Sequence, residues 1–182
     1  MLTEHGHDLS GPTTERPTNA EIGQRFFDTT LGVSLVYNGT VWIPESGILA
    51  QSFLFTENGA GTYTATFAIP AGAVIVDIIV NAIALWAAGT SASLEIGATD
   101  PDGYYTAVDL KATDLLAGES LRLAAAGGVQ GAYVANSHVT PAYFAAATNL
   151  VATVVSVGAG TTGRTLVTVL YALSTPQAAV KA

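Results

Sequence analysis

Four acidic residues lie close together in the sequence and could contribute oxygen ligands to a cation. Glu95, Asp100, Asp102 and Asp109 fall within "EIGATDPDGYYTAVD", with Glu95 on a predicted strand and the aspartates in or beside the next loop. Calcium takes six or more oxygen ligands from loops of this kind. The spacing lacks the ligand order of an EF-hand, and Asp-Pro-Asp-Gly is also an ordinary β-turn. The pattern therefore favours a turn, with Asp100 and Asp102 as the candidates for a structural cation.

The three histidines do not complete a metal site. His5 and His7 stand in "HGH", where an extended chain would place both imidazoles on one side. Zinc takes four ligands, and no third ligand follows nearby in the sequence. His138 stands alone in a polar segment, which favours a surface or hydrogen-bonded histidine. The chain has no cysteine, so thiolate ligands are excluded, and we expect no cofactor.

Catalysis has little support in the sequence. The nucleophile-elbow pattern G-x-S-x-G is absent, and "GAGTTG" lacks the lysine and the following helix of a phosphate loop. Glycoside hydrolysis needs a spaced pair of carboxyl groups that flank the scissile bond. The two tryptophans, Trp42 and Trp86, lie in apolar strand patterns that are typical of packing residues. We predict that the protein is not an enzyme; a phage depolymerase is the enzymatic alternative.

Charge is scarce in this chain. Charged residues make up 11% of the sequence, against about 25% in an average protein, and the net charge is −8. The six basic residues are scattered: Arg16, Arg25, Lys111, Arg122, Arg164 and Lys181. Binding to a phosphate backbone needs clustered lysine and arginine, so we expect no nucleic-acid partner. An uncharged surface suits burial against copies of the chain or against a larger assembly.

The longest apolar run does not predict a membrane helix. It extends from Ala73 to Ala88, which is shorter than the ~20 residues that a membrane helix needs. Asp77 and Asn81 interrupt it, and polar residues inside a membrane are costly. We therefore expect no membrane partner.

The first part of the chain predicts a small β-meander. Residues 1–21 are polar and hold several glycines and prolines, which predicts an extended arm. Residues 22–46 contain three short strand patterns, "GQRFFD", "VSLVY" and "TVWI". Asn38-Gly39 predicts a type I′ hairpin turn, in which both central residues have positive φ. Because three short strands bury little apolar surface, we expect this meander to pack on a partner.

Residues 47–175 predict a larger β domain. Apolar residues alternate with threonine and alanine from Thr62 to Ile69, which is the period of a half-buried strand. The run that begins at Ala73 indicates one long bent strand or two consecutive strands, with even-numbered residues on one face. Further strands follow at intervals typical of a sandwich or jelly roll. The predicted fold class is all-β: a small N-terminal β-meander, a β-sandwich or jelly-roll-like domain, and a flexible tail at 176–182.

The stretch "GPTTERPTNAEIGQRFFDTTLGVSLVYNGTVWI" resembles a short module of tailed-bacteriophage virion proteins, above all fibre, spike and capsid decoration proteins. The module combines Arg-Pro-Thr, Gly-Gln-x-Phe-Phe-Asp-Thr-Thr-Leu-Gly and an aromatic-Asn-Gly-Thr-x-Trp hairpin. The matching residues are Arg16 to Thr18, Gly23, Gln24, Phe26 to Gly32, Tyr37 to Thr40 and Trp42. The resemblance implies a structural virion protein that docks through its N-terminal region.

This resemblance sets the expected docking residues and partners. The docking residues are Arg16, Pro17, Phe26, Phe27, Tyr37, Asn38, Gly39 and Trp42. The expected partners are other copies of the chain, as a trimer or pentamer, and other virion proteins such as capsid or portal and tail components. The expected location is the virion, assembled in the host cytoplasm. A capsid decoration or head spike protein is preferred over a tail or baseplate fibre.

A receptor-binding protein that recognises host surface glycan is the alternative from the binding class. It would use exposed aromatic residues near a loop acid, and the candidates are Tyr104, Tyr105, Tyr133 and Tyr143. Packing in the core or at an interface is the competing interpretation of these tyrosines.

Overall fold

A computed structural model of the protein describes residues 9–125, 127–135 and 143–173. Within these ranges the chain is nearly all β, which confirms the predicted fold class. It divides into two compact units, with the boundary between Gly47 and Ile48. No helix in the described ranges is long and apolar enough to cross a membrane.

The N-terminal unit contains one four-stranded sheet, sheet I. Its strands are β1 (Leu9–Gly11), β2 (Arg25–Asp28), β3 (Val33–Tyr37) and β4 (Trp42–Pro44). The spatial order is β1-β2-β3-β4; β1 runs parallel to β2, and the other pairs are antiparallel. A short 3₁₀ helix, Thr13–Glu15, lies in the crossover between β1 and β2.

The parallel strand β1 differs from the extended arm predicted for residues 1–21. Leu9 pairs with Phe26, and Gly11 pairs with Asp28. Parallel neighbours need a crossover of a dozen or more residues, and the segment between β1 and β2 is long enough for one. The arm therefore contributes a strand to sheet I from Leu9 onward, and residues 1–8 lie outside the described part.

The second unit is built from nine strands within the described ranges. They are β5 (Leu49–Thr56), β6 (Gly61–Ile69), β7 (Ala73–Ala84), β8 (Ser91–Gly97), β9 (Tyr105–Asp109), β10 (Ser120–Arg122), β11 (Tyr143–Phe144), β12 (Thr148–Val157) and β13 (Arg164–Leu173). Helix is sparse: two 3₁₀ turns, Leu123–Ala125 and Gly127–Val129, precede the single-turn α1, Ala132–Ala135.

These strands form the two sheets of a jelly roll. Sheet II has the order β10-β7-β13-β5, with the short β11 also paired to β7. Sheet III has the order β6-β12-β8-β9. Apart from β11 and the step from β8 to β9, successive strands alternate between the sheets, as they do in the double Greek key of a jelly roll. The predicted sandwich architecture is therefore present.

Alternation places the core between the two sheets. In β6, Ala65, Phe67 and Ile69 are buried, and Thr66 and Ala68 between them are exposed, which confirms the predicted half-buried strand. In β7 the predicted alternation fails: Ile75 and Asp77 are buried in the first half, and Ile78 and Val80 in the second. Odd-numbered residues are buried up to Asp77 and even-numbered residues from Ile78 onward. β7 is therefore one continuous strand whose buried face changes at these two residues.

Buried polar contacts join the elements of the sandwich. The hydroxyl of Tyr105 on β9 donates to the carbonyl of Ile78 on β7 across the core, at 2.8 Å. Glu57 is 2% exposed, and its Oε2 accepts hydrogen bonds from the amides of Ala87 and Gly163, both at 2.9 Å. A single carboxylate thus holds the corner between β5 and β6 against two other loops.

Candidate assembly surfaces

Asp28 is the centre of the N-terminal unit. Its carboxylate is fully buried and bonds to both the Arg16 guanidinium, at 2.6 Å, and the Thr13 hydroxyl, at 2.8 Å. Its Oδ1 accepts the backbone amides of Thr30 and Leu31, both at 2.9 Å. These contacts join the crossover segment to the turn after β2.

The pKa of Asp28 follows from competing effects. Burial acts to raise it, because a charged carboxylate loses hydration. The hydrogen bonds from Leu31, Thr13 and Arg16, with the positive charge of Arg16, outweigh burial and hold the pKa of Asp28 below its ordinary value. The carboxylate is therefore ionised in the folded unit.

An aromatic cluster fills the same side of sheet I. The ring of Trp42 lies 5.9 Å from that of Phe26 and 5.5 Å from that of Tyr37, measured between centroids, and both pairs are tilted. The Trp42 indole also donates to the carbonyl of Pro17 at 3.3 Å. Tilted contacts at these distances are favourable for aromatic pairs. The meander therefore buries more of its own apolar surface than the sequence pattern indicated.

The hairpin between β3 and β4 differs from the predicted type I′ turn. Gly39 has φ +98°, but Asn38 does not have a positive φ. The side-chain oxygen of Asn38 instead accepts the amides of Thr40, at 2.9 Å, and Val41, at 2.8 Å. Asparagine forms such bonds to its own backbone readily, and they close the loop without positive φ at Asn38.

The other face of sheet I is the candidate docking surface. We use this name for Phe27, Ser34, Val36 and Ile43, which lie on the face opposite Phe26. Phe27 is 43% exposed at its centre, an unusual exposure for a large aromatic side chain. The ion pair between Arg25 and Glu45, at 2.7 Å, borders the surface.

The predicted docking residues thus divide into three groups. Arg16, Pro17, Phe26, Tyr37 and Trp42 make contacts inside the unit. Asn38 and Gly39 form an exposed loop tip, and Phe27 alone lies on the candidate docking surface. The sequence places Asp28 within the module pattern but gave it no role of its own, although an aspartate directly before "TTLG" is a typical residue for capping a turn.

The structure brings Asp100 and Asp102 together but does not bring Glu95 or Asp109 to them. The hydrogen bond between the two carboxyl groups raises the pKa of Asp100 and lowers the pKa of Asp102. Asp109 instead accepts the amide of Lys111 at 2.6 Å. In the described part of the chain, no three acidic or histidine side chains cluster as metal ligands would. Two carboxylates supply fewer oxygen atoms than calcium takes. His5, His7, His138 and the tail 176–182 lie outside the described residues.

The four candidate glycan-binding tyrosines occupy different environments. Tyr104 and Tyr105 are fully buried, and burial raises the pKa of both phenols well above the usual range. Tyr133 packs edge-on against Tyr104 at 5.2 Å, and its hydroxyl accepts the amide of Asp100. Tyr143 is 54% exposed. Packing therefore accounts for Tyr104 and Tyr105, and Tyr143 is the tyrosine of this set best placed to meet a ligand.

The chain is similar in structure to chains of several solved phage capsids. No protein-family model matches the chain, and no curated protein matches it. A chain of the acid-stable capsid of Helicobacter pylori bacteriophage KHP30 is 20% identical, with a TM-score of 0.48; the match covers 70% of this chain and 89% of that chain. A chain of the cyanophage Pam1 capsid is 19% identical, with a TM-score of 0.45, over 70% of this chain and 84% of that chain. A chain of the Ralstonia phage GP4 capsid is 19% identical, with a TM-score of 0.42, over 74% of this chain and 90% of that chain.

Proposed function

We propose that this chain is a structural component of a phage or phage-like particle and has no enzymatic role. In its most specific form it is a capsid decoration or head spike or fibre protein. It docks through the N-terminal unit and assembles as a symmetric oligomer of three or five copies. A tail or baseplate fibre is the alternative within the same class, but the chain lacks the heptads of an extended shaft.

The observation that carries this proposal is the way the phage-module residues build the N-terminal unit. Arg16 and Asp28, both within the module pattern, form its buried ion pair. Phe26, Tyr37 and Trp42 form its aromatic cluster, and Trp42 bonds to Pro17. The residues of the motif therefore make the contacts that hold this unit together. Their resemblance to the module of phage virion proteins supports the proposed structural role.

The candidate docking surface supports the same proposal. Phe27 remains exposed on a unit whose other aromatic residues pack internally. Aromatic side chains are enriched at the centres of protein–protein contacts. Such a surface gives the N-terminal unit a face for another virion protein.

The test is incorporation of variants into particles. Phe27→Asp should reduce the amount of this chain in particles purified on a density gradient at least ~10-fold, because a carboxylate would be buried at the contact. Ile22→Asp is the matched control: Ile22 is also exposed in the N-terminal unit but lies outside the candidate docking surface.

Removal of Arg16 to Pro44 should abolish incorporation and leave the second unit folded. Wild-type incorporation of either Phe27→Asp or the deletion would contradict the docking role.

A further inference from the structure

The outer face of sheet III is uncharged along its centre and acidic at one side. One row of outward residues across the sheet is Thr64, Thr153 and Glu95; the next is Thr62, Val155, Ser93 and Asp109. Val155 and Val157 are 41% and 46% exposed, although β12 is a central strand. A solvated sheet face normally carries polar side chains, so exposed valines on a central strand indicate a face that becomes covered.

The outer face of sheet II has a related composition but the opposite charge. Register pairs Arg164 with Thr56, Leu166 with Leu54, and Thr168 with Ser52, so these six side chains share the outer face. The hydroxyls of Ser52 and Thr168 lie 2.8 Å apart, and Leu54 is 46% exposed.

The charges on the two outer faces are complementary. Sheet III carries Glu95 and Asp109. Sheet II carries Arg164, which has no ion-pair partner among the described residues, and Arg122, whose Nε bonds to Asp77 at 2.6 Å. Contact between two identical faces would oppose like charges, which is unfavourable. Contact between sheet III of one copy and sheet II of another would bring the acids of sheet III to the side that carries Arg164, whereas the charge of Arg122 is already balanced by Asp77.

The size of these faces is sufficient for a specific contact. The four main strands of each sheet together hold slightly more than 30 residues, and a rise of about 3.3 Å per residue with a strand spacing of about 4.8 Å gives roughly 500 Å² per face. Two such faces bury about 1,000 Å² in total, which is about the minimum for a specific protein–protein interface.

We propose that the outer face of sheet III in one copy of the chain packs on the outer face of sheet II in the next copy, in a head-to-tail arrangement. This inference rests on the proposed function, since it names the surfaces through which the copies assemble. Head-to-tail contacts use two different patches on each copy, so they generate a ring when the rotation between copies closes and a filament when it does not.

Charge reversal on each face tests the proposal. Glu95→Arg and Arg164→Glu each place like charges across the contact, and each should weaken self-association at least ~10-fold. The double variant Glu95→Arg/Arg164→Glu exchanges the signs and should restore assembly to within about 3-fold of the original chain. An equimolar mixture of the two single variants should form oligomers that contain both. Native mass spectrometry and light scattering measure these states, and circular dichroism confirms that each variant is folded.

Glu21→Arg is the control for the change of net charge that Glu95→Arg makes, because Glu21 is exposed and belongs to the N-terminal unit rather than to either sheet of the jelly roll. It should leave self-association unchanged. Failure of the double variant to recover assembly would overturn the head-to-tail contact, as would a chain that stays monomeric at high concentration. A monomer that still enters particles would overturn this contact alone, whereas an oligomer that enters no particle would overturn the proposed function alone.

Discussion

Asp28 is the residue on which the fold of the N-terminal unit most depends. A buried carboxylate is costly unless other groups replace its lost hydration. Here Arg16, Thr13 and two backbone amides of the following turn do so. The aromatic cluster packs the sheet, and this one carboxylate connects the crossover to the turn after β2.

Acid should therefore destabilise the N-terminal unit. The pKa of Asp28 is lowered in the folded state, so its contribution to stability is present above the ordinary aspartate value of 3.8 and is lost as the pH falls through the folded value. In a Trp86→Phe background, the fluorescence of Trp42 reports urea unfolding of this unit. The urea midpoint should fall as the pH is lowered below about 4 and through the folded-state pKa of Asp28.

Asp28→Asn is the matched comparison for this pH dependence. It keeps the shape of the side chain but removes the charge and one acceptor. The variant should be less stable by about 2–3 kcal/mol at pH 7, since bonds to charged groups contribute about that much. It should also lose most of the acid dependence. Equal stability and equal acid dependence in both proteins would show that Asp28 does not organise the unit.

At the scale of elements, the hairpin between β3 and β4 depends on one backbone conformation. Gly39 has φ +98°, which L-residues with a side chain rarely adopt, and an added Cβ would lie 3.1 Å from Ile22. Gly39→Val should therefore lower the free energy of unfolding of the N-terminal unit by about 1–2 kcal/mol or more. Chemical denaturation followed through Trp42 measures the change.

Thr40→Val is the control for this prediction, because Thr40 is the next residue in the exposed loop tip and does not have a positive φ. It should change the stability of the unit by less than about 0.5 kcal/mol. If Gly39→Val were no more destabilising than Thr40→Val, the backbone of Gly39 would not limit the hairpin.

The elements also show which parts of the fold the sequence could predict. Strict alternation predicted β6, because a period of two requires one buried and one exposed face. The same rule failed in β7, where Asp77 is buried. Its carboxylate accepts hydrogen bonds from the amides of Ile78 and Leu123 and from the Arg122 guanidinium, which compensate for its burial. Those partners are distant in sequence, apart from Ile78, so no local pattern could reveal the change of face.

Long-range contacts explain what sequence reasoning missed at the candidate site. Phe26, Tyr37 and Trp42 were identified by residue type, but their packing inside the unit depends on strand pairing and on Pro17. Leu9–Gly11 was assigned to an extended arm because three polar-flanked residues give no periodic signal, yet they pair with β2. Glu57 gave no signal either, because the amides that it binds belong to loops far along the chain.

At the scale of the whole molecule, two units present three uncharged or weakly charged faces. The N-terminal unit exposes the candidate docking surface around Phe27, and the jelly roll exposes the outer faces of sheets II and III. A jelly roll hosts many functions, so its fold does not by itself define a role. The proposed role rests instead on the resemblance of the N-terminal residues to a phage module and on the positions at which apolar residues remain exposed.

An electron cryo-microscopy map of particles that contain this chain tests the central claim most directly. We predict that the N-terminal unit contacts another virion protein through the face that carries Phe27. We also predict that the jelly rolls of neighbouring copies are in contact. A map in which the face that carries Phe27 is exposed to solvent, or in which the jelly rolls of neighbouring copies do not touch, would contradict it.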